Sequence, residues 1–187
     1  MRIGIISGNP KQDGLCQSII NAIKDGATKA GAEVDEIRLC DLDLKACQVC
    51  GDGWGMCARE NRCSYGNDGF DDTLARIDQS NALVFASPVY WGEVSETLKI
   101  FLDRLRRCQY GPKGILRGKQ TLIVASPGGS GNGLLSTLEQ LDRFCRHTGA
   151  TIFDYIGINR WNRDYKQVAA EAAAFAMASG RKNGDTV

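Results

Sequence analysis

The chain predicts an α/β fold: a doubly wound, three-layer arrangement with a parallel sheet at its centre. Three observations point there. Short apolar runs alternate with helical patterns from end to end. The first run, Arg2-Ile3-Gly4-Ile5-Ile6, passes directly into a loop of small residues, Ser7 to Gly14. Two later runs also end in loops rich in Ser, Pro and Gly. Strands separated by helices bury both faces of a parallel sheet and therefore read as continuous apolar segments.

Each element has its own warrant. Leu15 to Lys29 predicts a helix, with Leu15, Ile19, Ile20, Ile23 and Ala27 on one face. Glu33 to Leu39 alternates as an edge strand does. Phe70 to Gln79 predicts a short helix whose start is enriched in Asp68, Asp71 and Asp72. Ala82 to Ser87 predicts a central strand stopped by Pro88. Ser95 to Arg107 is amphipathic, with Leu98, Phe101, Leu102 and Leu105 inward. Gln120 to Ala125 predicts a strand and Leu134 to His147 a helix. Ala150 to Gly157 predicts the last strand and Tyr165 to Ala178 an Ala-rich closing helix. Five parallel strands with right-handed crossovers fit the flavodoxin-like order 2-1-3-4-5.

At 187 residues with 43% hydrophobic content, one core is expected. Residues 1–180 form that domain, with a cysteine-rich insertion at 47–63 and a frayed tail at 181–187. A formal net charge of +1 gives no field to recruit nucleic acid or an anionic membrane. No basic run interleaves with aromatics, and no apolar run is long enough to span a bilayer. No basic segment precedes an apolar stretch as in a signal peptide, so a cytoplasmic location is expected.

In such a sheet, ligands sit outside the carboxyl ends of the strands. Three loops leave those ends: Ser7 to Cys16, Ser87 to Glu93, and Ser126 to Gly133. The first lacks both the Gly-Lys-Ser/Thr of a nucleotide P-loop and the Gly-x-Gly-x-x-Gly dinucleotide turn. It offers backbone N–H groups, the Ser7 hydroxyl and the Asn9 amide at a helix N-terminus, which suits a phosphate monoester. The second carries adjacent aromatics, Tyr90 and Trp91, suited to a flat ring. The third is rich enough in glycine for close backbone approach. Taken singly, the first loop also reads as an ordinary turn, and Tyr90-Trp91 as core packing. The lone His147, late in a helix, reads as solvent-facing or as a complement to the helix dipole.

Ile3 to Pro10, Ser87 to Gly92 and the helical segment Leu98-Lys99-Ile100-Phe101-Leu102-Asp103-Arg104 resemble, in order and spacing, the NADPH-dependent FMN reductases. The nearest branch is the one that includes the iron–sulfur flavoproteins. The resemblance covers roughly residues 1 to 157. It implies a flavodoxin-like fold, bound FMN, NAD(P)H as electron donor and a homodimer or homotetramer. It places Ser7, Asn9, Gly14, Leu15 and Cys16 around the FMN phosphate. Pro88, Val89, Tyr90, Trp91 and Gly92 would line the ring, with Ser126, Gly128 and Gly129 along its other edge. The chain departs from the pattern at Asn9, Leu15 and Cys16, where the family carries Ser, Asn and Thr. That shifts the phosphate's support toward backbone amides and Lys11 or Ser18. No side chain is expected to act as acid or base, because the chemistry is the flavin's.

Eight cysteines are many for a reducing compartment, and Cys47, Cys50, Cys57 and Cys63 fall in one stretch. Their spacing, Cys-x2-Cys-x6-Cys-x5-Cys, satisfies a [4Fe–4S] cluster or a zinc ion in count. Four reduced thiols without metal fit as well, as does a labile disulfide. Relative to the iron–sulfur branch, Gly51 to Met56 reads as an insertion. The expected function is FMN-dependent, NAD(P)H-driven reduction of a small-molecule acceptor. The alternatives are an iron–sulfur relay between protein partners and a non-enzymatic redox or metal sensor.

Overall fold

The computed structural model describes residues 1–110 and 113–181. Its elements follow the chain as β1 (Arg2–Ser7), α1 (Gly14–Lys29), β2 (Glu33–Arg38), α2 (Met56–Glu60), α3 (Phe70–Gln79) and β3 (Ala82–Tyr90). They continue as β4 (Glu93–Val94), α4 (Glu96–Cys108), β5 (Gln120–Ser126), α5 (Leu134–Thr148), β6 (Thr151–Gly157) and α6 (Arg163–Ala178). The sheet has six strands, in the order β2-β1-β3-β5-β6, and β4 pairs only with β3. All neighbours on that path are parallel. The predicted five strands numbered 2-1-3-4-5 are therefore corrected. The additional strand is two residues long and antiparallel, too short to carry a periodicity.

A second correction concerns Pro88. It does not end β3, which runs on to Tyr90 and pairs Pro88 with Ser126 of β5. The Ala86 carbonyl accepts from the Gly8 amide, so residue 88 faces the same side two positions on. There β1 has already ended at Ser7, and a missing N–H breaks no ladder bond. The five-residue helix α2 arises in a stretch without readable period. The predicted frayed tail falls almost wholly on residues 182–187, outside the described residues.

The two faces of the sheet carry separate apolar layers. Ile19, Ile20 and Ile23 of α1 and Ala170, Ala174 and Met177 of α6 pack on Ile3, Ile5, Val84 and Val124. On the other face, Phe70 and Ile77 of α3, Leu98, Phe101 and Leu105 of α4, and Leu138, Leu141 and Phe144 of α5 cover Ile6, Leu83, Phe85 and Ile123. Alternate strand residues point to opposite layers, as the pleat requires. Among the described residues, no helix is long and apolar enough to cross a membrane.

The tightest helix contact is between α1 and α6. A Cβ on Gly26 would overlap the Glu171 carbonyl oxygen of α6. Alanine is the better helix former by about 1 kcal/mol, so the outcome of substitution depends on which effect is larger. Overpacking against backbone costs about 1–3 kcal/mol. Gly26→Ala is expected to lower stability in urea unfolding; a stabilised variant would show that the two helices can separate freely.

Candidate cofactor site

The loops after β1, β3 and β5 meet at one cleft. Asn9, Lys11, Gly14, Leu15 and Cys16 form one wall, Pro88, Val89 and Tyr90 another, and Ser126 to Gly128 a third, around about 240 Å³. A contiguous space of about 520 Å³ shares Val89 and Gly128 with it and is bounded by Trp91, Gly92, Gly129, Ser130, Asn132 and Gly133. Of the thirteen predicted cofactor residues, only Ser7 lies behind this surface. It is buried, and its hydroxyl accepts from the Asn9 amide at 3.2 Å.

The first loop is held from within. The Asn9 side-chain amide donates to the Lys11 carbonyl at 2.6 Å and to Gln17 at 3.4 Å, and its oxygen accepts from the Lys11 amide at 3.3 Å. Asn9 thus shapes the loop more than it offers a free donor. Ser18 turns away and donates to the Leu15 carbonyl at 2.8 Å. Lys11 lines the cleft. No side chain caps α1 and no acid lies in its first turn, so its opening amides are available to an anion. Gly14, at φ +83°, is the residue that turns the chain into the helix. Burial, and secondarily the charge of Glu36, push the Cys16 thiol up to about 12. It is a neutral wall, with no thiolate to attack a ligand.

The second loop is a strained hairpin. Tyr90 pairs with Glu93, and the two residues between them, Trp91 and Gly92, have φ of +54° and +82°. Both central residues positive is a type I′ turn, which favours Asn-Gly. A tryptophan there is an outlier, and its indole stands fully exposed. Strain of this kind concentrates at ligand sites. Ser136 of α5 fastens the turn by donating to the Gly92 carbonyl at 2.6 Å. Tyr90 is half-exposed, its phenol pushed up by partial burial and by Cys40 and Cys16 nearby.

The loops are tied to one another through Ser95, the N-cap of α4. Its amide donates to Ser87 Oγ at 2.9 Å and its hydroxyl donates to the Gly8 carbonyl at 2.8 Å. A Cβ on Gly8 would come within 2.6 Å of Leu98 Cβ, so only glycine lets the first loop lie this close. In the third loop, Gly128 and Gly129 have open space where a side chain would stand. A flat ring can therefore approach their backbone. The donor set, the exposed aromatic and this glycine cradle fit FMN.

The cysteine stretch forms a second site on the α4 side. Cys47, Cys50, Cys57 and Cys63 line one small pocket together with Arg104, Arg107 and Cys108. Arg104 is buried and holds the segment together. It donates to Asp68 at 2.6 and 3.1 Å, to the Lys45 carbonyl at 3.0 Å and to the Tyr65 carbonyl at 2.8 Å. It also lies 4.2 Å from the Phe70 ring centroid. Burial alone would push the Asp68 carboxyl up; Arg104 and the Lys45 and Phe70 amides outweigh it and hold it below the usual range. The four thiols suit a cluster in kind and number. The pocket they line with their neighbours holds about 20 Å³, room for one water and not for a cluster. Among the described residues, no three His, Cys, Asp or Glu side chains are gathered to ligate a single metal ion.

Several residues of these sites were not singled out from the sequence. Asp13 and Pro127 line the cleft, and Ser136 fastens the hairpin. Trp161, after β6, packs its ring edge on Gly131 of the third loop. The signal for Trp161 was its place at the carboxyl end of the last strand, the same edge as the three loops. His147 is exposed in the last turn of α5, as expected.

Fold and site together define a flavin-type cleft at the carboxyl edge of a flavodoxin-like sheet. The profile of the NADPH-dependent FMN reductases matches residues 1–163, and the chain belongs to that family. An iron–sulfur flavoprotein of Methanocaldococcus jannaschii is 30% identical over 77% of this chain and 71% of its own length. FMN-dependent NADH:quinone oxidoreductase 3 of Pseudomonas fluorescens is 31% identical over 55% of this chain and 50% of its own. The chain spans 71% of the length of the Methanocaldococcus jannaschii protein and 50% of an iron–sulfur flavoprotein of Archaeoglobus fulgidus. The solved NAD(P)H:quinone oxidoreductase from Methanothermobacter marburgensis shares the fold, with a TM-score of 0.71 at 16% identity over 95% of this chain and 96% of that one.

The hairpin strain is testable. Trp91→Asn places a residue suited to the I′ turn and is expected to stabilise the protein by about 1 kcal/mol while weakening flavin affinity. Thermal unfolding and flavin titration on the same variant check this. A variant that is less stable and binds flavin as before would contradict the assignment.

Proposed function

We propose that the protein is an FMN-dependent oxidoreductase that takes electrons from NAD(P)H and passes them to a small-molecule acceptor. The observation that carries this reading is the meeting of the three loops in one cleft. Each loop there presents the chemistry for a different part of one cofactor. The uncapped start of α1, the amides of residues 14–17 and Lys11 would bind the FMN phosphate. Pro88, Val89 and Tyr90 would support the ring, and Gly128 and Gly129 would let backbone amides reach its polar edge. Bound FMN supplies hydride acceptance and the release of electrons singly or in pairs.

The side chains bind, orient and exclude water. Cys16 stays protonated and presents a neutral face beside the phosphate loop. Tyr90 and Trp91 shield one margin of the cleft. The space beside Trp91, about 520 Å³, has room for a nicotinamide ring against the flavin, the stacking that hydride transfer needs. A homodimer or homotetramer, as the family resemblance implies, is proposed as the working form.

A second reading is favoured by the four thiols that share one pocket. They would hold a [4Fe–4S] cluster once the Gly51–Gly55 loop opens, and the protein would then relay electrons to a protein partner. The positive charges of Arg104 and Arg107 suit an anionic, thiolate-bound group.

Anaerobic purification and a visible spectrum test both. Structured flavin bands that bleach with NADPH or NADH are expected. A broad additional absorbance with matching iron and sulfide content would support the relay. A colourless protein that takes up no FMN would overturn the proposal.

A further inference from the structure

We infer that the loop after β6, carrying Arg160 and Trp161, binds the 2′-phosphoadenosine end of the electron donor and so selects NADPH over NADH. This rests on the proposed use of a nicotinamide donor. If the nicotinamide lies beside Trp91, the remainder of the dinucleotide must leave the cleft across one of its rims.

Charge decides which rim. On the α4 side stand Glu93, Glu96 and Asp103 against Lys99 alone, and Lys99 is already bound to Asp103 at 2.7 and 2.6 Å. A dinucleotide that carries several negative charges is repelled there. The α1 side, with Lys11, is taken by the flavin phosphate. The remaining rim is the third loop, which offers Ser130, Asn132 and glycine backbone. Beyond it comes Trp161, whose ring would meet a Cβ on Gly131 at 3.0 Å.

The loop after β6 is built to hold its shape. Asn159 Oδ1 accepts from the Trp161 amide at 3.0 Å and the Asn162 amide at 3.1 Å, and Asn162 Oδ1 accepts from the Asn159 amide at 2.8 Å. These reciprocal bonds fix the backbone without using Arg160 or the indole. Trp161 is 61% exposed, an apolar surface suited to an adenine. The Arg160 guanidinium sits 4.4 Å from its ring centroid. Among the described residues no carboxylate pairs with Arg160. A guanidinium pre-placed beside a stacking surface matches a ribose phosphate bidentately, which a ribose hydroxyl does not reproduce.

Isothermal titration of the FMN-loaded protein with 2′,5′-ADP and with 5′-ADP tests this without any electron transfer. The expected result is about tenfold tighter binding of 2′,5′-ADP, a single charge-assisted phosphate contact's worth of discrimination. Arg160→Gln should remove that preference and leave 5′-ADP affinity as it was. Trp161→Ala should weaken both ligands. Equal affinities in the unaltered protein, no binding of either nucleotide, or a preference that survives Arg160→Gln would overturn the inference. Flavin bleaching by NADPH and NADH reads the donor proposal separately: bleaching without 2′,5′-ADP discrimination defeats only the assignment of this loop.

Discussion

The N-cap of α4 is the joint on which the site depends. Ser95 is buried; its hydroxyl accepts from the Leu98 amide of its own helix and donates to the Gly8 carbonyl, and its amide donates to Ser87. One buried residue thereby fixes the loop after β1, the carboxyl half of β3 and the start of α4 relative to one another. The close approach at Gly8 follows from it. A cofactor that spans two loops needs both held in one geometry before it arrives, since loops ordered only on binding cost affinity.

The same helix links the two halves of the molecule. Its N-cap, Ser95, braces the walls of the cleft, and its last turns carry Arg104, Arg107 and Cys108 into the cysteine pocket. Arg104 is buried with Asp68 and two carbonyls as partners. A paired charge of this kind contributes little net stability, whereas removal of one partner leaves an expensive orphan. Its effect is to specify where the segment from Lys45 to Asp68 lies. The cysteine loop is thus anchored at its two ends, and Arg107 holds its glycine-rich middle by donating to the Gly53 carbonyl and lying 5.0 Å from the Trp54 ring centroid.

Much of this was legible in the sequence, for physical reasons that differ by residue. The helices and buried strands announce themselves because Leu98, Phe101 and Leu105, or Leu83 and Phe85, must face a layer. The three loops were legible because strand ends in a parallel sheet share one edge. What stayed hidden depends on distant partners or on very short elements. β4 has two residues, and no periodicity exists at that length. Pro88 reads as a stop, and only the earlier end of β1 makes it tolerable. Nothing near Arg104 reveals that Asp68 awaits it. The role of Asn9 as a loop brace required the positions of Lys11 and Gln17. The spacing of the cysteines brought them to one pocket without saying what they hold.

On the proposed reading, the first loop holds a phosphate and the other two hold the ring attached to it. Titration of the apoprotein with FMN and with riboflavin, followed by quenching of flavin fluorescence, tests it most directly. The two ligands share the ring and differ in the phosphate. FMN should bind at one site per chain and far more tightly than riboflavin, by a factor on the order of a hundred or more if several amides and a lysine meet the phosphate. Equal affinities would contradict it, since the loop from Ser7 to Cys16 would then be making no contact that depends on charge.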